Sequence, residues 1–309
     1  MKDVAVTGQE LADLADTIVE FVVATCHQEQ VLKYGRPFDE HGKVAQFCVV
    51  CLGKHGGGEL NFSSDIDLLF VYGNDGQTRD HDRTVDNDFF FNRLSERIVN
   101  ALTEVTDEGF FYRVDMRLRP DGESGALTRS LCSHWAYYET RGALWERQML
   151  LKARRAAGSQ RLWQQFRQTL MPFVFPAHFD VGPRAEIRRI KERIEAEIGV
   201  RSDRDNNIKL RAGGIRDIEF VVQCLQLLAG RRNRKVRSHN TLQAIGRLKQ
   251  SGELGADEAH TLSEAYRLFR CLENLLQIHD GRAVYAVPED VPRWLWFAAS
   301  TTFPRSTQQ

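Results

Sequence analysis

The 309-residue chain has no surplus of charge of either sign: Lys plus Arg and Asp plus Glu both number 42. A general attraction to nucleic acid or to a membrane surface needs a net field, so neither partner is expected. Long apolar runs are missing too. None approaches the roughly 18 residues that mark a membrane span. The opening stretch, MKDVAVTGQELADLADTIVE, spreads acids through a helical pattern and lacks a basic end before an apolar block, so no secretory leader is read in it. Cysteine is sparse: six in a chain this long do not make a disulfide framework. Cys48 and Cys51 form a C-x-x-C, but inside the apolar run FCVVCL. Strand alternation sends residues three apart to opposite faces, so core packing is preferred to a redox or zinc role. A reducing cytoplasm fits this usage. No two of the nine histidines stand four apart, so none is read as a zinc ligand. Internal repeats and low-complexity tracts are absent.

What is present is a globular composition, 42% hydrophobic and 27% charged, able to bury a sizeable core. Leu11, Leu14, Ile18, Phe21 and Val22 recur at helical spacing within residues 9–33. A polar loop carrying Gly35, Pro37 and Gly42 follows. Three strands are then expected, at 47–52, 66–72 and 110–118, with a helix near 85–105 before the third. Turn residues Gly73 to Gly76 close the second strand, and Pro120 and Gly122 stop the third. From about residue 130 the pattern is helical, with candidates at 131–141, 143–157, 159–170, 183–199, 215–230, 240–251 and 256–280. The expected fold class is α+β: a small mixed sheet with helices, then an all-α bundle. The expected divisions are an N-terminal helix at 1–34, a sheet domain at 35–127, the bundle at 128–297 and a disordered tail at 298–309.

The chemistry concentrates in GKHGGGELNFSSDIDLLFVY, residues 53–72. Gly56, Gly57 and Gly58 follow an apolar strand, where glycine lets backbone approach a ligand and offers N–H groups to phosphate oxygens. A short helical turn near 58–62 would add its positive end. Asp65 and Asp67 stand two apart at the start of the next strand, so both carboxylates share a face while Ile66, Leu68 and Phe70 take the other. Like charges so placed call for a compensating cation or a proton. Magnesium suits hard oxygen ligands, and manganese accepts the same set. In FYRVDMRLRP, Asp115 alternates with apolar residues and shares its face with Arg117 and Arg119. Three aspartates on two strands match a two-ion site for phosphoryl or nucleotidyl transfer.

These residues resemble the signature of DNA polymerase β-like nucleotidyltransferases, and more narrowly the bifunctional glutamine synthetase adenylyltransferase/adenylyl-removing family. RVDMRLRPDGESGAL (113–127), YYETRGALWERQMLLKAR (137–154), IKLRAGGIRDIEFVVQ (208–223) and FRCLENLLQ (269–277) extend the likeness in the same order, over about residues 35–297. The resemblance implies a polymerase β-like domain followed by a helical bundle. It implies Mg2+, two ions in all, on Asp65, Asp67 and Asp115, with the nucleotide or phosphate met by Gly56, Gly57, Ser64, Arg117, Lys152 and Arg154. The wording is closer to the family's N-terminal half, which removes AMP from a tyrosine of glutamine synthetase by phosphorolysis and releases ADP. The alternatives are transfer of AMP from ATP to the synthetase, or an inactive fragment that only binds it. Regulation by glutamine and a PII-type nitrogen signal protein is also implied, in the cytoplasm.

The glycine loop followed by an Asp-x-Asp strand occurs only once, so the family's second catalytic half is expected to be missing and the chain to be a fragment. His55 stands where the family usually has an apolar residue, and Arg211 where a small one is expected. Lys152 and Arg154 fit either phosphate binding or a surface ion-pair network with Glu146. Arg117 and Arg119 fit either phosphate or pairing with Asp115 itself. Gly213-Gly214 with Asp217 and Glu219 echoes the first motif, but residues two apart on a helix diverge, so capping and packing are preferred to a second metal site. The basic run from Arg231 to Arg237 is read chiefly as the solvated end of a helix.

Overall fold

The computed structural model describes residues 3–80, 82–176 and 207–287. The expected helix at 183–199 and the tail at 298–309 lie outside them. The centre of the fold is β2 (Phe47–Leu52), in which every residue is buried. It follows β1 (Arg36–Asp39) and is covered on both faces, which is why FCVVCL is apolar throughout. Phe47, Val49 and Cys51 enter one core cluster; Cys48, Val50 and Leu52 enter another. The C-x-x-C is thus split across the sheet.

β3 (Ile66–Tyr72) runs antiparallel to β2, from Phe47 opposite Tyr72 to Leu52 opposite Asp67. β4 is Gly76–Arg79, β5 is Val114–Asp115, β6 is Thr128–Ser130 and β7 is Arg154–Gly158. The sheet order is β5-β3-β2-β7, with β6 also paired to β3 and parallel to it. β1 and β4 make a separate antiparallel pair.

One face of the sheet carries α1 (Val4–Tyr34) and α3 (Asn87–Thr103); a one-turn helix, α2 (Gly53–Gly56), leaves the end of β2. Phe47 stacks with Phe70 and Phe91 in that core and Phe90 meets Phe91 edge-on, and each fully buried phenylalanine contributes about 1.5–3 kcal/mol by leaving water. The other face carries α4 (Leu131–Thr140), α5 (Leu144–Leu151) and α6 (Gln160–Val174), through Tyr138, Leu150, Leu162 and Phe166. α7 (Ile215–Gly230), α8 (Thr241–Gln250) and α9 (Ala256–Asp280) form a third cluster around Val222, Ile245 and Leu248. The mixed sheet followed by helices is the α+β class expected.

Five local expectations are corrected. The helix at 143–157 stops at Leu151, and Arg154–Gly158 pairs with β2 instead. The unpaired edge of a buried strand needs hydrogen-bond partners, and that need outweighs the helix preference of Arg and Ala. The strand at 110–118 shrinks to two residues. Arg119 folds the chain back by donating to the carbonyls of Met116, Glu123 and Gly125. The loop after Gly35 contains β1, and the helical turn near 58–62 lies earlier, at Gly53–Gly56. On α1 the buried stripe is Gly8, Ala12, Ala15, Val19, Val22 and Cys26, while Leu14 and Phe21 face water.

Candidate functional site

Asp67 is the second residue of β3, and parallel pairing places it opposite Asp115 of β5. Asp65 immediately precedes the strand. The strand alternation anticipated from the sequence therefore brings all three aspartates to one end of the sheet. Antiparallel pairing sets Leu52 opposite Asp67 from the other side, and Gly53 follows Leu52. Gly53 has φ +53°, and a Cβ there would lie 2.1 Å from the Asp67 carboxylate. Only glycine leaves room for Asp67 in this position. Gly53 was not among the glycines singled out from the sequence.

The electrostatics are uneven. Burial, and next the negative charge of Asp115, push the Asp67 carboxyl up to about 6; Asp65 adds to the rise and Lys54 opposes it. Asp115 moves the other way. Arg117 donates to it from its backbone N–H at 2.8 Å and from its guanidinium at 2.6 Å, holding the carboxyl below the usual range. Asp65 accepts from Arg113 Nε at 2.5 Å. Arg113 was not singled out from the sequence.

The three carboxylates do not close as a triad. Among the described residues, only Asp16, Cys51 and His55 bring three ligand atoms within 4.8 Å of one another. At the sheet end, two arginines hold two of the aspartates singly. The donor set is nonetheless all hard oxygen, and Asp67 carries a like-charge penalty from both neighbours. That combination fits a divalent cation in chemistry, with Arg113 and Arg117 as the groups it would displace or share.

Beside Asp67 opens a cavity of about 230 Å3, lined also by Gly53, Lys54, Lys152, Lys209 and Glu219. Lys54 donates to Glu273 at 2.9 Å, and the Lys209 ammonium lies 4.6 Å from the centre of the Tyr285 ring. These two cations face the carboxylate end, and sequence reasoning missed both. Lys54 stands two residues beyond β2, and its adjacency to Gly53 was the available signal. Lys209 comes from the far helical half, and nothing local marks it.

The model of the family described as glutamate-ammonia ligase adenylyltransferase matches residues 1–169. The chain belongs to that family. A second family model, described as GlnD PII-uridylyltransferase, matches residues 184–309. The chain is similar to bifunctional glutamine synthetase adenylyltransferase/adenylyl-removing enzymes of Hahella chejuensis (39% identity, 93% of this chain and 30% of the relative). It is also similar to those of Vibrio parahaemolyticus (39%, 92% and 30%) and Mannheimia succiniciproducens (38%, 91% and 29%). It spans about 30% of the length of these relatives. Among the described residues no helix is long and apolar enough to cross a membrane.

In this adenylyltransferase-family chain, several residues expected to meet phosphate are engaged elsewhere. Gly56 and Gly57 do not form an open cradle. A Cβ at Gly56 would lie 2.1 Å from the Lys152 carbonyl, and one at Gly57 2.5 Å from the Glu59 carboxylate. The glycine loop is there for close packing, and the N–H of Gly57 already bonds to the Gly53 carbonyl. Ser64 is buried and accepts the Asn61 N–H at 3.2 Å. Lys152 does line the cavity, but its ammonium is buried between Glu59 at 2.8 Å and Glu219 at 2.6 Å. It is a bolt between the sheet half and the helical half. Thr241 N–H completes it by donating to the Glu59 carboxylate at 2.6 Å, and Arg270 donates to the Glu59 backbone carbonyl at 2.5 Å.

Arg154, in β7 rather than on a helix, pairs with Asp16 of α1 and donates to the His55 carbonyl. It lines a different cavity from Asp67. His55 is fully buried and 2.8 Å from Asp16, so it fastens α1 to the glycine loop. The Asp16–Cys51–His55 group has its own cation in Arg154, and burial pushes the Cys51 thiol up to about 12; it is an ion-paired core cluster. Arg117 alone keeps both readings: it holds Asp115, yet its side chain is 70% exposed and free to swing toward a ligand. As expected, Gly213 N–H is capped by Asp217 and Glu219 serves packing.

Proposed function

We propose that this chain carries out adenylyl transfer on glutamine synthetase, in the removing direction: inorganic phosphate attacks the AMP phosphorus, the bond to the tyrosine oxygen breaks, and ADP leaves. The observation that carries the reading is the pairing of Asp67 with Asp115 beside Gly53, Lys54 and Lys209. Names of the relatives include both directions of the reaction, and the removing direction rests on the wording of the motifs at 113–127 and 208–223.

In this reading Asp65, Asp67 and Asp115 hold Mg2+, with Mn2+ accepted by the same oxygens. Bound there, the metal would polarise the phosphorus of the transferred adenylyl group and neutralise its charge. Lys54 and Lys209 draw phosphate oxygens into the cavity, and Arg117 is the guanidinium placed to follow a phosphate if it leaves Asp115. Gly53 keeps the Asp67 carboxylate against the ligand space. Glutamine and a PII-type protein are the proposed regulators in a cytoplasmic nitrogen response; the match of residues 184–309 to a PII-uridylyltransferase family supports that link.

The test is incubation of adenylylated glutamine synthetase with the chain, phosphate and magnesium. ADP should appear and should vanish in Asp65→Ala plus Asp67→Ala. A folded chain that releases none, with PII-type protein present, refutes the reading. Mass spectrometry of unmodified synthetase after incubation with ATP decides the forward reaction. Binding without either turnover would identify an inactive fragment.

A further inference from the structure

A second cavity, of about 350 Å3, lies between α5, β7, α6 and the segment joining α7 to α8. The size is that of a small-molecule site. Its polar lining is Arg154, Arg167, Arg237 and Arg247 with Ser238 and the His239 ring, and no carboxylate is among the described lining residues. Its remaining wall is apolar, chiefly Trp163, Leu170, Met171, Val174 and Phe175.

The charges are only partly answered from outside. Arg154 has Asp16. Arg237 donates to the Gly230 carbonyl at 2.8 Å and stacks over the Phe175 ring at 3.9 Å, and Arg247 donates to the Arg237 carbonyl. Neither has a carboxylate partner among the described residues. His239 feels the Glu59 carboxylate, which opposes the effect of the arginines. Burial, and next Arg154, hold the His239 pKa below its usual value; burial, then Arg234 and Arg167, do the same to Arg237. Clustered cations repel unless a counter-charge joins them.

We propose that this cavity binds a small anion, a carboxylate or a phosphate, carrying an apolar body. The anionic head takes Arg167, Arg247 and His239, and the body lies against Trp163, Met171 and Phe175. The site is separate from the aspartate end yet shares a wall with it. Leu150, Leu151, Ala153 and Arg154 line one side of that wall, while Met149 and Lys152 line the other. The segment carrying His239 also clasps the glycine loop, since Asn240 Nδ2 donates to the Gly57 carbonyl at 3.2 Å. An occupant is therefore placed to report its presence to the Asp67 cavity.

The probe is phenyl phosphate, followed by titration calorimetry on the full chain. We expect saturable binding that weakens about tenfold or more in Arg167→Ala plus Arg247→Ala, the loss of charge-assisted contacts. Both side chains are exposed, and circular dichroism confirms that the variant is folded. Lys209→Ala, which alters only the Asp67 cavity, should leave the affinity unchanged. Absence of binding, or binding that falls with Lys209→Ala and not with the arginine variant, overturns the proposal.

Discussion

Two groups of charge share one cavity and are built on opposite terms. At the sheet end, Asp65, Asp67 and Asp115 stand together against Arg113 and Arg117, and Asp67 itself accepts no arginine. Farther in, Lys152, Glu59, Arg270 and Glu273 are buried and, with the half-buried Glu219, paired with one another. The first group is partly wet and electrostatically unfinished; the second is dry and paired. Charge left unbalanced at a cavity mouth is available to a ligand. Charge balanced in the interior fixes how two halves of a chain meet.

The sharpest way to break this comparison is to remove the unfinished charge. Asp67→Asn plus Asp115→Asn should lower ADP release by about 10³-fold or more, since a bound metal supplies several kcal/mol to the transition state. The variant should unfold no earlier in urea than the wild type. Persistent turnover would separate the aspartates from the chemistry; a large loss of stability would make them structural like their neighbours.

Lys152→Met tests the other side. It leaves Glu59 and Glu219 buried without their shared cation, and stability should fall by about 3–5 kcal/mol. The urea midpoint measures it. A loss below about 1 kcal/mol, with turnover abolished, would return Lys152 to the phosphate role that its sequence context invites. That context could not show the difference. The partners of Lys152 lie 93 and 67 positions away, and Asp16 lies 138 from Arg154.

A smaller effect follows from pH. The folded-state value of Asp67, about 6, stands above the ordinary 3.8, so the folded state holds this proton more tightly than the unfolded one. Its contribution is complete below about pH 4 and is lost as pH rises through 6. Asp67→Asn should therefore flatten that decline and be more stable than the wild type at pH 7, on the order of 2 kcal/mol. Thermal midpoints of both proteins between pH 4 and 7 measure the difference. Magnesium should stabilise the wild type increasingly over the same window, because ionised Asp67 is the form that binds metal. Equal pH profiles for the two proteins would mean that Asp67 is not the strained member of the site.

What was readable in the sequence shares a property: it depended on near neighbours. Alternation alone set Asp67 opposite the apolar face of Ile66, Leu68 and Phe70, and the continuous apolar run marked β2 as the buried centre. α7 and α9 end at the expected residues because their periodicity is strong and Gly213-Gly214, Gly255 and Gly281 punctuate it. β1, β4, β6 and β7 were illegible because each is short and exists through its partner strand. Gly56 and Gly57 looked like a phosphate cradle because local sequence shows that a glycine is needed, not what approaches it.

α1 gives the smallest and most discriminating case. Its sequence has two stripes at helical spacing: Leu11, Leu14, Ile18 and Phe21, and one position on, Ala12, Ala15, Val19 and Val22. Transfer energy favours burying the first, which has the larger side chains. The fold buries the second and leaves Leu11 and Ile18 half-buried and Leu14 and Phe21 exposed, because small residues let the helix axis approach the loop after β2; a Cβ at Gly8 would already be 3.2 Å from the Glu59 Cα. Close approach brings Asp16 to His55 and Arg154, contacts a bulkier stripe would hold apart. Phe21, 70% exposed, should then tolerate serine within about 0.5 kcal/mol, whereas Ala15→Leu should cost about 1–3 kcal/mol by overpacking. Urea midpoints for the two variants rank them, and the reverse order would mean that α1 packs by its larger side chains after all.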